Sequence, residues 1–401
     1  DQLQERVEVD NQNLRAAEAK YRATRATLES ARAPFFPTVS LSAARTRGSA
    51  TSTSTATAGG TTNYSLAASL NWELDLWGRI RRGVEGARAD LAASAADLAA
   101  ARLSTQALLA QTYVQLRAAE VQADLLRRAA DAYGRFLELT RHRLSAGVAS
   151  PLDVAQAETQ LATAETQAID ADSQRAQLEH ALAVLVGAAP ASFTLAPAPR
   201  LPEVPATPAL LPSTLLENRP DIAAGERRMA AANARIGVAE AAYFPVLDLT
   251  GSYGYRNNAL ANLISAPNRF WSLGPTLAMT LFDGGARAAE GQLTQTNDSE
   301  AVTIYRQTVL TAFQEVEDNL AAARLLERES QAQARALASA RRAREIAENQ
   351  YKAGTSSSLN VVTAQTAELS AEVNATNLQA RRLLAAVQLL KNAGGRWSPP
   401  A

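Results

Sequence analysis

His142 and His180 are the only histidines in this chain of 401 residues, and there is no cysteine. Metal binding or acid–base work by imidazole needs several ligand-type side chains at site spacing. The two histidines stand apart, and neither sits in such a cluster. Both read as surface or packing residues. Without cysteine there can be no disulfide framework, thiolate zinc site or thiol nucleophile. A Walker-type phosphate loop and a Gly-x-Ser-x-Gly elbow are also absent from the sequence. The sequence therefore predicts no enzyme, no cofactor and no metal, and it places function in shape.

A few charged residues stand where geometry gives them work. Asp75 and Arg79 flank Trp77-Gly78, and Asp283 precedes Gly284-Gly285. Each group reads as a corner leading into a helix. Arg219-Pro220-Asp221 suits a helix start, where proline's missing N–H costs nothing and an acid meets the positive dipole end. Asp153 follows Pro151-Leu152 and has two readings: a first-turn helix charge or, if copies surround an axis, a ring of carboxylates that filters ions. Lys+Arg and Asp+Glu are equal at 40 each, so no basic excess recommends nucleic acid.

The elements that position these residues are written twice, about 207 residues apart. Ala33-Pro34-Phe35-Phe36-Pro37 returns as Ala242-Tyr243-Phe244-Pro245, and Leu74-Asp75-Leu76-Trp77-Gly78-Arg79 as Leu281-Phe282-Asp283-Gly284-Gly285. Ala146-Gly147-Val148-Ala149-Ser150-Pro151-Leu152-Asp153 returns as Ala353-Gly354-Thr355-Ser356-Ser357-Ser358-Leu359-Asn360. The first unit, 1–187, is expected to hold a helix, a hairpin over 38–76, a long helix over 78–146 and a return helix over 151–186. The second unit, 213–394, repeats this with a hairpin over 246–282, a long helix over 285–353 and a return helix over 358–393. Seven prolines from Pro190 to Pro212 make 188–212 an extended linker, read as a belt against the helices, and 395–401 form a tail. Each long helix, rich in alanine, leucine, glutamine, arginine and glutamate, would run ~100 Å. Small side chains suit broad side-by-side packing in a curved wall; a strict leucine heptad is not evident.

Ahead of each long helix the period changes to two. Tyr64, Leu66, Ala68, Leu70, Trp72 and Leu74 alternate with polar or small residues, as do Leu247, Leu249, Tyr253 and Tyr255, and Trp271, Leu273, Leu277, Met279 and Leu281. Val39, Leu41 and Ala43 begin the remaining strand. Strands of about 10 residues with tryptophans at their ends fit a membrane barrel, and they also fit a half-buried sheet over a soluble core. No apolar run approaches the ~20 residues of a transmembrane helix. Four strands cannot close a barrel, so several chains must share one, and twelve strands from three chains suit a lumen that continues into long helices. Ala44–Asn63 and Arg256–Arg269 read as exposed loops. The chain starts at Asp1 close to a helical pattern, which reads as a trimmed or mature fragment.

On these residues the chain resembles the TolC-like outer-membrane factors, in particular the OprM-like ducts of tripartite RND-type efflux pumps. Leu216-Glu217-Asn218-Arg219-Pro220-Asp221-Ile222 is similar to the signature that opens the family's second half, and the two strand-to-helix junctions are similar to its junction motifs. The resemblance covers nearly the whole chain. It implies a mainly α protein with a membrane β-barrel: a homotrimer with a twelve-stranded barrel in outer-membrane lipid, continuous with a periplasmic α-helical barrel. It further implies a passive exit duct for drugs or other small toxic compounds, served by a periplasmic adaptor and, through it, an inner-membrane pump. Members of this branch carry a lipid-modified N-terminal cysteine, so the full-length protein is expected to be lipid-anchored. The tips at Ala146, Gly147, Val148, Ala149 and Ser150, and at Ala353, Gly354, Thr355, Ser356 and Ser357, would meet the adaptor. Leu152, Asp153, Leu359, Asn360 and Thr363 would form the periplasmic gate. Thr363 stands where many relatives carry an aspartate, so a second acidic ring is not expected there. Asp75, Trp77, Gly78, Arg79, Asp283, Gly284 and Gly285 are expected to shape the barrel-to-tunnel corner. A polypeptide-secreting type I duct shares this architecture; a soluble coiled-coil scaffold would leave the alternating strands unexplained.

Overall fold

The computed structural model describes residues 2–49, 60–198, 200–205 and 219–394. The opening residues of the Leu216–Ile222 motif, Pro199, Pro208, Pro212 and the tail 395–401 lie outside these. In chain order the elements are α1 (Gln2–Asp10), α2 (Gln12–Arg32), β1 (Thr38–Ser49), β2 (Gly60–Leu74), α3 (Arg79–Ser145), α4 (Pro151–Leu185), α5 (Pro220–Ala241), β3 (Val246–Asn257), β4 (Arg269–Ala278), α6 (Ala286–Lys352) and α7 (Ser358–Asn392). The 67 residues of α3 and of α6 each span ~100 Å. No helix among the described residues is long and apolar enough to cross a membrane.

The four strands form one antiparallel sheet in the order β1-β2-β3-β4. The hairpins of the two repeats are thus joined by β2–β3 pairing, with Tyr64 opposite Asn257 and Leu74 opposite Leu247. Directly paired residues share a face, so the registers sort every side chain. Val39, Leu41 and Ala43 lie beside Leu70, Ala68 and Leu66; those continue to Gly251, Tyr253 and Tyr255, and then to Leu273, Trp271 and Arg269. Apart from charges at its loop end, this face is apolar from edge to edge. The opposite face carries Ser40, Ser42, Ser65, Ser69, Asn71, Glu73, Asp248, Thr250, Ser252, Ser272 and Thr276.

Three expectations are corrected. The segment Ala44–Asn63, read as a loop from its Ser/Thr/Gly composition, carries ladder at both ends, with Thr46 opposite Asn63 and Ser49 opposite Gly60. Threonine is a good strand former, and pairing outweighs the low-complexity signal. Strand β4 ends at Ala278, although the alternation runs on to Leu281. The first helix is broken at Asn11, whose side chain accepts from the Leu14 N–H at 3.0 Å and donates to the Leu185 carbonyl at 2.8 Å. That N-cap is tied to a residue 174 positions away, which local periodicity cannot register.

The helices pack side by side, with α2, α4 and α5 against α3, α5 also against α6, and α7 against both α6 and α3. Alanines fill much of the interior: Ala96, Ala123, Ala157, Ala183, Ala231 and Ala312 are fully buried. Gly86 of α3 lies so close to α5 that an added Cβ would stand 3.6 Å from the Ala231 carbonyl oxygen and the Ala234 methyl. The described linker lies against the helices through a buried charge network. Arg117 donates to Glu120 at 2.6 Å and to the Ala196 carbonyl at 2.9 Å, while Glu120 accepts from the Ala198 N–H at 3.0 Å. Arg175 donates to both Glu120 and the Leu195 carbonyl. Every charge there has an opposite partner, as burial demands.

Candidate functional site: the paired hairpin tips

Both long helices end in the same turn. The N–H of Val148 returns to the Arg143 carbonyl at 2.9 Å, and the N–H of Thr355 to that of Gln350 at 2.9 Å. Gly147 and Gly354 sit at φ +75°, a left-handed conformation that a side chain would strain. The turns expose small or apolar residues, Val148 among them. Leu152 and Leu359, the first leucines of the two return helices, are 65% and 55% exposed. Each tip therefore presents one exposed leucine at the start of its return helix.

The return helices start differently. Ser150 and Asp153 form a reciprocal capping box on α4: the Asp153 carboxylate accepts from the Ser150 N–H at 2.7 Å, and the Asp153 N–H donates to the Ser150 hydroxyl at 3.2 Å. At α7 the cap residue Ser357 makes no side-chain cap, and Asn360, in the position matching Asp153, turns to the Ser356 hydroxyl at 3.0 Å. The Thr363 hydroxyl donates back to the Leu359 carbonyl at 2.8 Å.

Asp153 also joins the two tips. Its second carboxylate oxygen accepts from the buried Ser358 hydroxyl. These hydrogen bonds, the one from Ser358 first, hold the Asp153 carboxyl below the usual aspartate range. Alongside, the Arg143 guanidinium donates to the Tyr351 carbonyl at 2.8 Å and lies 4.4 Å from the Tyr351 ring centroid. The Tyr351 ring packs on Phe136, and Phe136, Leu137, Ala157, Ala347, Tyr351 and Val361 form one buried cluster from four helices. Gln160 donates to Thr366 at 2.9 Å. The tips of one chain are therefore a single packed body. Arg143, Tyr351 and Ser358 have no signature in the sequence, because their partners come from the other repeat.

Farther along the hairpins a second cluster links α6 to α7. Arg344 reaches Glu348 at 3.0 Å and pairs with Glu368, while Arg341 reaches Glu372 at 2.7 Å. Burial pushes the Glu368 carboxyl above the usual range in spite of Arg344. Among the described residues, no group of His, Cys, Asp or Glu could hold a metal ion.

At the other end, the corners are fixed by the acids that precede them. Asp75 accepts from the N–H groups of Ile80 and Arg81 at 3.0 and 2.9 Å, capping α3 after Gly78 at φ +84°. Asp283 accepts from the N–H groups of Gly285 and Arg287 at 3.0 and 3.2 Å, with Gly284 at φ +65° and Gly285 at φ +94°. The Trp77 indole stacks on Phe244 at 4.8 Å and donates to the Pro245 carbonyl at 2.7 Å, pinning one repeat's corner to the other's. Arg79 donates to Glu73 at 2.8 Å. The buried Arg219 binds Asp221 at 2.7 Å and Glu315 of α6 at 2.9 Å, so it anchors a helix start and leaves no free charge for cargo.

Known proteins share this arrangement. A family model of outer membrane efflux proteins matches residues 3–188 and 211–395. The antibiotic efflux pump outer membrane protein ArpC of Pseudomonas putida is 33% identical over 396 residues, covering 97% of this chain and 81% of that protein. The pyoverdine export outer membrane protein OpmQ of Pseudomonas aeruginosa is 32% identical over 408 residues, covering 99% and 85%. The solved structure of the outer-membrane channel OprN superposes with a TM-score of 0.93 at 31% identity, over 99% of this chain and 90% of that one. Apolar strands, long helical hairpins and the lack of catalytic chemistry thus have one explanation: the chain belongs to the outer membrane efflux protein family, and it is an outer-membrane channel of an efflux system rather than an enzyme.

Proposed function

We propose that three copies close their sheets into a twelve-stranded barrel and their helices into a tunnel, forming a passive exit duct for small toxic compounds. The register of the sheet carries this reading: one face is apolar across four strands, and both edges, β1 and β4, lack a second strand partner among the described residues. Open edges are not tolerated in lipid, so neighbouring chains must supply the missing pairs. The exposed apolar residues of α6, among them Ile304, Leu310 and Leu325, support a helical interface between neighbouring copies. Cargo is read from relatives named for antibiotic efflux and pyoverdine export, which favours small molecules over polypeptides.

In this assembly Leu152, Leu359, Asn360 and Thr363 narrow the periplasmic end, and Asp153 stands beside them as part of the latch between tips. Residues 146–150 and 353–357 receive the hairpin of a periplasmic adaptor, which connects the duct to an inner-membrane pump. The full-length protein is anchored by an N-terminal lipid. The deciding experiment is purification in detergent followed by mass measurement and planar-bilayer recording. A trimer that conducts ions is expected; a water-soluble monomer without conductance would sink the duct.

A further inference from the structure

The charges of the sheet are segregated by height. Residues 38–72 and 249–282, which include both hairpin loops, contain four arginines and no lysine, aspartate or glutamate. All four, Arg45, Arg47, Arg256 and Arg269, are exposed and lie toward the loop ends of their strands. The sheet's carboxylates, Glu73 and Asp248, face each other at the tunnel end. A chain with no net charge therefore gathers uncompensated positive charge at one rim.

Register divides the four by face. Arg45 pairs with Tyr64, which shares the face of Leu66, and Arg47 lies two residues further on the same face. Arg269 pairs with Tyr255 and stands two residues from Trp271, again on the apolar face. Arg256 pairs with Ser65 and lies over the Phe270 ring on the polar face. Arg45 is six residues beyond Val39, roughly 20 Å along the strand, and Arg269 is eight residues beyond Leu277, roughly 26 Å. On β2 the apolar face runs the full ten residues from Leu74 to Tyr64, which pairs with Arg45; that is roughly 34 Å along the strand, which tilt reduces to about 25 Å, the height of a lipid-facing apolar band. The three outward arginines thus end the band at the height where lipid headgroups begin, with Tyr64 and Trp271 beside them.

We infer that Arg45, Arg47 and Arg269 form a binding site for the phosphate groups of phosphorylated glycolipid in the outer leaflet. The guanidinium fork matches phosphate, and the acid-free rim offers no competing carboxylate. Strands β1 and β4 are the two edges of the sheet, so barrel closure, on which this inference rests, sets Arg269 of one chain near Arg45 and Arg47 of the next. The site then recurs once per subunit boundary, and the bound lipid bridges two chains.

The test is native mass spectrometry of the assembled protein from phosphatidylcholine vesicles containing bisphosphorylated lipid A or its dephosphorylated form. Retention of the phosphorylated lipid is expected, with weaker retention of the dephosphorylated one. Each of Arg45→Gln, Arg47→Gln and Arg269→Gln should weaken binding roughly fivefold, and the triple variant more. Arg256→Gln, on the other face, should leave binding unchanged. Excess inorganic phosphate should compete poorly, since it lacks the acyl chains that rest on Leu41 and Leu273. Equal retention of both lipids, or an unchanged triple variant, would overturn the site. Oligomer mass is read in the same spectrum, so failure of the trimer is distinguished from failure of the lipid site. If the triple variant does not assemble, the single variants and the dephosphorylated lipid still decide the matter.

Discussion

Helices α3 and α6 occupy the same place in the two repeats and have the same length of 67 residues, yet 21 residues of α3 are buried and only six of α6. The local sequences do not account for this, since both are alanine-rich and polar on much of their circumference. Position does: α3 is covered by α2, α4, α5 and α7, whereas α6 packs along its length against α5 and α7 and touches α3 at the tip, where Tyr351 meets Phe136 and Arg143. One copy has become the interior of the chain and the other its border. In the proposed trimer the two copies would thus divide two tasks, stability within a subunit and recognition between subunits.

Substitutions that tell these tasks apart would break or sharpen this contrast. The largest effect is expected from Ile304→Asp with Leu310→Asp on the open face of α6, which should abolish the trimer and its conductance while leaving helix content intact. A double variant that still runs as a trimer would show that this face is not the border. In α3, Leu116→Ala empties a fully buried site and should cost about 2–5 kcal/mol in chain stability, read by denaturant or thermal unfolding in detergent. At the tips, Leu359→Ser should raise resting conductance or antibiotic leakage several-fold; Leu152→Ser asks whether the first repeat shares the constriction. An unchanged current for Leu359→Ser would remove that residue from the gate.

Smaller effects test the unequal helix starts. Asn360→Asp gives α7 the Ser-x-x-Asp box that α4 already has and should stabilise the tip by about 0.5–1 kcal/mol, whereas Asp153→Ala should destabilise it by about 1–2 kcal/mol. Acid pH separates two carboxyls by sign. Asp153, held below its ordinary value, contributes stability that is present above about pH 4 and is lost only as pH falls through its lowered folded value. Glu368, raised by burial, contributes stability that is full below its unfolded value of about 4.3 and is lost as pH rises through its raised folded value. The melting temperature of Glu368→Gln should therefore vary less between pH 5 and pH 7 than that of the parent chain, and Asp153→Asn should leave that window unaltered.

Much of the frame was legible because it repeats a simple period. Alternation from Tyr64 to Leu74 is a local signal, and the structure places those side chains on the same sheet face as Leu41 and Leu249. The leucines after each Gly turn were legible by their place in the duplicate. The latch was not. Ser358 meets Asp153 across 205 residues, and Arg143 meets Tyr351 across 208, so neither pair leaves a pattern within a window. The charge network of Arg117, Glu120 and Arg175 was missed for the same reason: on a helix surface its i,i+3 pair looks like ordinary solvent-facing charge. Burial by the linker gives it another meaning.

The pairing of β2 with β3 has a consequence for how the pore is put together. Because that ladder is made within one polypeptide, the sheet arrives as a finished four-strand panel with two unlike borders. In the proposed barrel, joining β4 to the next β1 is a head-to-tail reaction with one kind of seam, and such a reaction stops only when rotation closes the ring. Until then each panel shows two adhesive margins and a greasy surface, a species prone to stick to the wrong neighbour. Chain number is then a matter of panel curvature, and the hazardous interval is the wait for the last subunit.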